Sequence, residues 1–227
     1  MTIKGILLDI EGTTSSIRFV YDEMFPYVRK SLAAFLAADW EQPEVQACVP
    51  LLSDDVGRKL ATQDDVSAAV IELMDADVKA TGLKKLQGLI WKNGFHSGQL
   101  VAHVYEDVAP AIHQWKQSGL DVRIYSSGSV QAQHLFFGHT EAGDLLSLFT
   151  GHYDTTIGGK KESSSYEKIA TEFGLAASEI LFVSDVDAEL TAAADAGMQT
   201  VLSIRPGNKP MEWEGATIES FSNISLV

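Results

Sequence analysis

The chain has 227 residues, 45% of them hydrophobic, which suits one large domain or a domain carrying a smaller insertion and excludes a disordered chain. Its 17 Lys and Arg against 31 Asp and Glu leave a formal charge of −14, which excludes nucleic acid and anionic membrane as expected partners. The single cysteine, Cys48, excludes an internal disulfide; with no basic-then-apolar leader and no apolar run of membrane length, the expected address is a reducing cytoplasm.

In chain order, the first expected strand is 5–9, which runs into Asp9-Ile10-Glu11-Gly12-Thr13-Thr14. Side chains alternate along a strand, so Asp9 and Glu11 are expected on one face, with Gly12 letting the backbone turn beneath them. One carboxylate is then placed to attack phosphorus and the other to move a proton, although the hexapeptide alone reads equally as an ordinary strand-ending turn. The stretch 17–103 shows no strand pattern. Its apolar residues Val66, Val70, Leu73, Met74 and Leu83, Leu86, Leu89, Ile90 recur at spacings of three and four, which predicts amphipathic helices packed on one another.

The expected organisation is therefore an α/β core, residues 1–16 and 104–227, with a helical cap, 17–103, inserted after the first strand and lying over the sheet's carboxyl edge. An independent helical domain is the other reading. A helix over 107–119, with Asp107 as N-cap and Gly119 as its stop, precedes strands at 122–126 and 152–155. Ser164 and Glu167 read as a capping box, and strand 180–185, helix 188–196 and strand 200–204 follow. Alternation of this kind predicts a doubly wound, Rossmann-like parallel sheet.

Polar residues close several of these strands, and in such a sheet the strand ends gather at one edge. Ser126-Ser127-Gly128-Ser129 offers hydroxyls and turn amides to phosphate oxygens, Gly158-Gly159-Lys160-Lys161 brings a cation, and Ser184-Asp185 adds a carboxylate. Singly, a Ser/Gly turn is a loop and a Lys pair is solvated surface. Together they suggest a site for a hard cation and a phosphate ester. Magnesium takes oxygen ligands and only one or two carboxylates, a role that Asp9 and Asp185 fill. Glu189 reads either as a brace for that loop or as an ordinary acid in a first helical turn. A carboxylate approaching a phosphate meets repulsion of about 4 kcal/mol per like-charge pair at roughly 4 Å and an effective dielectric near 20, which a cation reverses. Asp9 is then expected to form an aspartyl-phosphate that water hydrolyses, with Glu11 as acid and base. The six histidines form no metal-ligand spacing and read as structural or surface groups.

The ordered set of DxxGT-like turn, strand-end Ser, Lys and strand-end Asp resembles the haloacid-dehalogenase-like superfamily of phosphotransferases, whose nucleophile is the first Asp of the turn. The second acid is usually Asp in its phosphatases, so Glu11 is a departure that adds one methylene of reach. Phe19-Val20, Phe25-Pro26-Tyr27, Leu86-Gln87-Gly88, Ile124-Tyr125-Ser126-Ser127-Gly128-Ser129, Lys160 ahead of Glu162-Ser163-Ser164-Ser165-Tyr166, Ser184-Asp185-Val186 and Arg205-Pro206-Gly207-Asn208 complete a pattern similar, nearly end to end, to the enolase-phosphatase family of methionine salvage. The similarity is weakest over 40–81.

That resemblance implies a bifunctional enzyme that enolises 2,3-diketo-5-methylthiopentyl-1-phosphate and then removes phosphate to leave the acireductone 1,2-dihydroxy-3-keto-5-methylthiopentene, with one Mg²⁺ per chain. It implies Asp9 as nucleophile and metal ligand, Glu11 as a metal-site residue through its backbone carbonyl, Asp185 as the remaining protein ligand, and Ser126, Ser127 and Lys160 as substrate-binding residues. Glu11 is the expected base for enolisation. Phe19, Met24, Phe25 and Trp91 are candidates to hold the methylthio tail, though each reads first as core. Two other readings stand beside this one: a phosphatase of the same fold acting on another small phosphometabolite, and a catalytically silent phospho-ligand-binding module. The expected quaternary state is a monomer.

Overall fold

Strands β1 (Gly5–Leu8) and β4 (Ile180–Ser184) are apolar almost throughout, without alternation, as strands covered on both faces must be, and every residue of both is buried. The computed structural model describes residues 2–224. Among these, β1 and β4 join β2 (Asp121–Tyr125), β3 (Gly151–Tyr153), β5 (Gln199–Ser203) and β6 (Ala216–Ile218) in one parallel sheet of order β3-β2-β1-β4-β5-β6. From β1 the chain winds out through β2 and β3, returns to β4, and winds out the other way. The order reverses between β1 and β4, and a crevice at the carboxyl ends of such a pair is where α/β sheets bind ligands.

This is the expected doubly wound α/β core with an inserted helical segment. Each of the five expected strands ends one or two residues early, because Asp9, Ser126 and Asp185 leave the ladder for loops. The sixth, β6, is an addition: three residues, two of them exposed, carry no apolar run to signal it. Helices Ser163–Phe173 and Asp187–Asp195 place Tyr166, Ile169, Phe173 and Leu190 against Leu7, Phe182 and Leu202 of the sheet. Two helix starts differ from expectation. Asp107 precedes helix Val108–Gln117 but gives that helix no side-chain cap; its carboxylate accepts instead from Arg205, Ser220 and the Phe221 N–H. Helix Ser163–Phe173 begins after an extended Glu162, so Ser164 and Glu167 lie inside it and form no capping box.

The chain divides into two compact units, one built from the segments up to Val20 and from Val101 onward, the other from Tyr21–Leu100. The second unit is helical and has its own core, in which Val28, Leu32, Leu36, Leu52, Val66, Val70, Leu83, Leu86 and Ile90 are buried against one another. Helix Gln63–Asp75 starts with a reciprocal capping box between Thr62 and Asp65. Helix Thr81–His96 follows Ala80, which cannot cap, and Asp55 substitutes by accepting from the Leu83 N–H at 3.0 Å. Gly82 permits that approach, since a Cβ there would stand 2.5 Å from the Leu52 nitrogen. Cys48 is buried in this core. No helix among the described residues is long and apolar enough to cross a membrane.

Candidate active site

Asp9 is the first residue beyond β1 and remains tied to β4, its N–H donating to Val183 O at 3.0 Å. The chain then closes a tight loop: the N–H groups of Thr13, Thr14 and Ser15 all donate to Ile10 O, and the Thr14 hydroxyl donates to Asp9 O at 3.2 Å. Gly12 turns this loop at φ +71°, in the region that favours glycine. A Cβ at this position would also stand 2.2 Å from Asp185 Oδ2, so the missing side chain brings the loop onto the β4 carboxylate. Glu11 lies inside the turn, bridged to Ser15 and half-buried. Because β1 stops at Leu8, the turn sets its position, and the alternation argued from an extended strand does not extend that far.

Lys160 joins the charged groups. Its ammonium is 2.6 Å from Asp9 Oδ1 and 2.7 Å from Glu189 Oε2, and the three side chains are about nine-tenths buried, with 9%, 7% and 10% exposed. Glu189, on the first turn of helix Asp187–Asp195, also accepts from the Ser184 hydroxyl at 2.9 Å. It therefore braces lysine and strand rather than serving as a solvent-facing helix acid. Burial alone would lower the Lys160 pKa, but the two carboxylates outweigh it and hold the ammonium above its ordinary range. Burial, then the Asp9 and Glu189 charges, pushes Asp185 up to about 7. Burial likewise raises Glu189, with Asp9 adding to it.

Three carboxylates thus crowd one ammonium at the β1–β4 switch point. Among the described residues no group of three or more His, Cys, Asp or Glu side chains is arranged to hold a metal ion. The surroundings nevertheless suit a hard cation: burial and the Asp9 and Glu189 charges raise the pKa of Asp185, and Asn208 Oδ1 is a buried oxygen without a hydrogen-bond partner. That oxygen would stand 3.0 Å from a Cβ on Gly12, beside the Asp185 carboxylate. A magnesium site needs only one or two carboxylates, the rest being carbonyl, water and phosphate oxygens.

Ser126 follows β2 and is buried, its N–H donating to Tyr153 O and its Oγ accepting from the Gly128 N–H at 3.2 Å, which leaves the hydroxyl proton to donate. Ser127 is exposed, and so is Lys161. Of the candidates for an apolar tail, Phe19 packs edge-on to Phe136 in the α/β unit at 5.8 Å. Met24, Phe25 and Trp91 belong to the helical unit, where the Trp91 indole donates to Met24 O at 3.0 Å and the Phe25 and Trp91 rings lie 6.2 Å apart. His103 Nδ1 accepts from the Ser16 N–H at 3.1 Å and is structural.

Two residues that the sequence reading quotes without a role support the site. Arg205, 6% exposed, donates from Nε to Thr13 O at 3.1 Å, grips Asp107 with both terminal nitrogens at 3.1 and 2.9 Å, and stacks on Tyr105 and Phe221. Asn208 donates to Gly12 O at 2.9 Å. Both hold the Asp9 loop from behind, and the run Arg205-Pro206-Gly207-Asn208 was the available signal.

The class that this sheet and its strand-end carboxylates define is that of the haloacid dehalogenase-like hydrolases, and the model of that family matches residues 3–197. Over 92% of its length the chain is 50% identical to enolase-phosphatase E1 of Aquifex aeolicus, covering 93% of that protein. It is 47% identical over 99% of its length to enolase-phosphatase E1 of Synechococcus elongatus, covering 98% of it. Among solved structures, the UTR4 protein of Saccharomyces cerevisiae overlays with a TM-score of 0.84 at 36% identity, over 98% of this chain and 100% of that one. The chain belongs to the enolase-phosphatase E1 family of haloacid dehalogenase-like hydrolases.

Proposed function

We propose that the chain enolises 2,3-diketo-5-methylthiopentyl-1-phosphate and then dephosphorylates it to the acireductone of methionine salvage, using one Mg²⁺. The observation that carries this reading is the buried Lys160 ammonium set between Asp9 and Glu189 beside Asp185, at the carboxyl ends of β1 and β4. Asp9, Asp185 and the Glu11 carbonyl are the groups to hold the metal, which when bound neutralises phosphate charge and polarises a substrate oxygen.

The chain's own residues do the rest. Glu11 takes the C–H proton beside the carbonyl, giving the enolate of the enol phosphate and leaving Glu11 protonated. Asp9 attacks phosphorus, the ester P–O bond breaks, and the leaving oxygen takes a proton from Glu11. Water then attacks the aspartyl-phosphate while Glu11 accepts its proton, releasing phosphate and restoring Asp9. Lys160 offsets charge on the transferring group, with Ser126 and Ser127 donating to its oxygens. The same reading makes the protein a cytoplasmic monomer acting on a small phosphorylated metabolite, without nucleic-acid or membrane partners, in keeping with its charge of −14.

Incubation with the diketone phosphate, followed by ultraviolet absorbance and phosphate release, tests this directly. The expected result is an enol signal that precedes phosphate, with phosphate release lost on chelation. Phosphate release without an enol signal would assign a phosphatase of another small metabolite, and binding without turnover would assign a silent module; either overturns the reading.

A further inference from the structure

Lys160 reaches its carboxylates from a segment with little rigidity of its own. Gly158 has φ +148° and Gly159 follows it, and glycine loses more conformational freedom on ordering than any other residue. Three hydroxyls supply the restraint, each donating to a successive carbonyl: Tyr125 to Gly158 O at 2.9 Å, Ser165 to Gly159 O at 2.9 Å, and Tyr166 to Lys160 O at 2.6 Å. All three donors are fully buried, at 0% exposed.

The donors are themselves held fast. Tyr125 is the last residue of β2, and Ser165 and Tyr166 lie in the first turn of helix Ser163–Phe173. The two tyrosine rings meet edge-on at 5.5 Å, and Tyr166 packs on Phe182 of β4 at 5.1 Å. A Cβ on Gly158 would stand 2.2 Å from Ser165 Oγ, so strap and hydroxyl touch with no space for a side chain. Burial raises the pKa of both phenols, so they remain donors at neutral pH.

We infer that Tyr166, Ser165 and Tyr125 are positioning residues that clamp the Gly158–Lys160 backbone and thereby fix the Lys160 ammonium between Asp9 and Glu189. The inference rests on the proposed phosphate-binding role of Lys160. Their three bonds end on strap carbonyls, so their effect on a bound phosphoryl group passes through the lysine, and a small misplacement there is costly to catalysis.

The test is a double-mutant cycle. Tyr166→Phe and Ser165→Ala should each lower kcat/KM for phosphate release by about threefold to tenfold, the net worth of one hydrogen bond. Affinity for inorganic phosphate, measured by calorimetry, should fall by a similar factor. In a Lys160→Met background the same substitutions should change neither quantity further. Equal losses in that background, or full phosphate affinity in both single variants, would overturn the clamp. Should Tyr166→Phe not fold, Ser165→Ala and Tyr125→Phe carry the same cycle. A wild type that never turns over the diketone phosphate removes the proposed substrate, whereas the clamp stands or falls on the phosphate titrations.

Discussion

Both units bury an apolar core, but the α/β unit also buries a set of charged and polar side chains. Among the described residues, Gln87 is the single buried polar side chain between 21 and 100, whereas the α/β unit buries Asp9, Thr13, Thr14, Ser15, Ser126, Ser184, Glu189 and Arg205. The helical unit is held by dry apolar packing, which depends on volume and tolerates exchange of like for like. The α/β unit places charges where little water reaches, which costs free energy unless partners are in place. Its excess of carboxylate over ammonium at the β1–β4 switch point is therefore a burden on stability, and the proposed reaction supplies the reason to keep it.

The largest effect expected from this contrast is on turnover. Asp9→Asn should reduce phosphate release by at least about 10³-fold, as loss of a nucleophile does. Its melting midpoint should hold or rise, because the substitution relieves repulsion on Asp185 and Glu189. An active Asp9→Asn variant would break the contrast at once.

Acid–base behaviour sharpens it next. Asp185 is raised from 3.8 to about 7, by burial first and then by Asp9 and Glu189, so the folded metal-free protein keeps a proton that the unfolded chain releases. That stabilisation is complete below pH 3.8 and is lost as pH rises through about 7. Melting scans of metal-free protein should show the midpoint falling across this window relative to Asp185→Asn, and magnesium should remove the difference at the upper end. Parallel wild-type and Asp185→Asn curves would contradict the assigned charge crowding.

The helical unit should respond differently. Leu86→Ala, at a fully buried position, should cost about 2–5 kcal/mol by denaturant unfolding, with the same loss at any pH and with or without magnesium. The smallest effect expected is from Arg205→Lys, which keeps the charge but loses the two-pronged grip on Asp107. A loss of about 1–3 kcal/mol is expected, with a several-fold lower kcat as the Thr13 end of the Asp9 loop loosens.

Local patterns made much of this legible. Amphipathic stripes in the helical unit and the apolar runs of β1 and β4 are periodic over a few residues, and a polar residue closing such a run marks where the chain meets the ligand edge. What depended on distant partners was not. Asp107 looked like a helix cap, because nothing local shows that Arg205, far along the chain, takes its carboxylate. Ser165 and Tyr166 looked like an ordinary helix start, and only the folded chain sets their hydroxyls on the Gly158–Lys160 strap. Glu189 left two readings open until Lys160 was seen against it. Strand β6 is too short and too exposed to carry a pattern.

Rapid-quench trapping of a phosphorylated enzyme tests the central claim most directly. Acid-quenched protein from a single turnover, digested and mapped, should carry phosphate on the peptide containing Asp9, in a hydroxylamine-sensitive acyl linkage that vanishes in Asp9→Asn. Release of phosphate with no labelled peptide, or with the label on another residue, would contradict it.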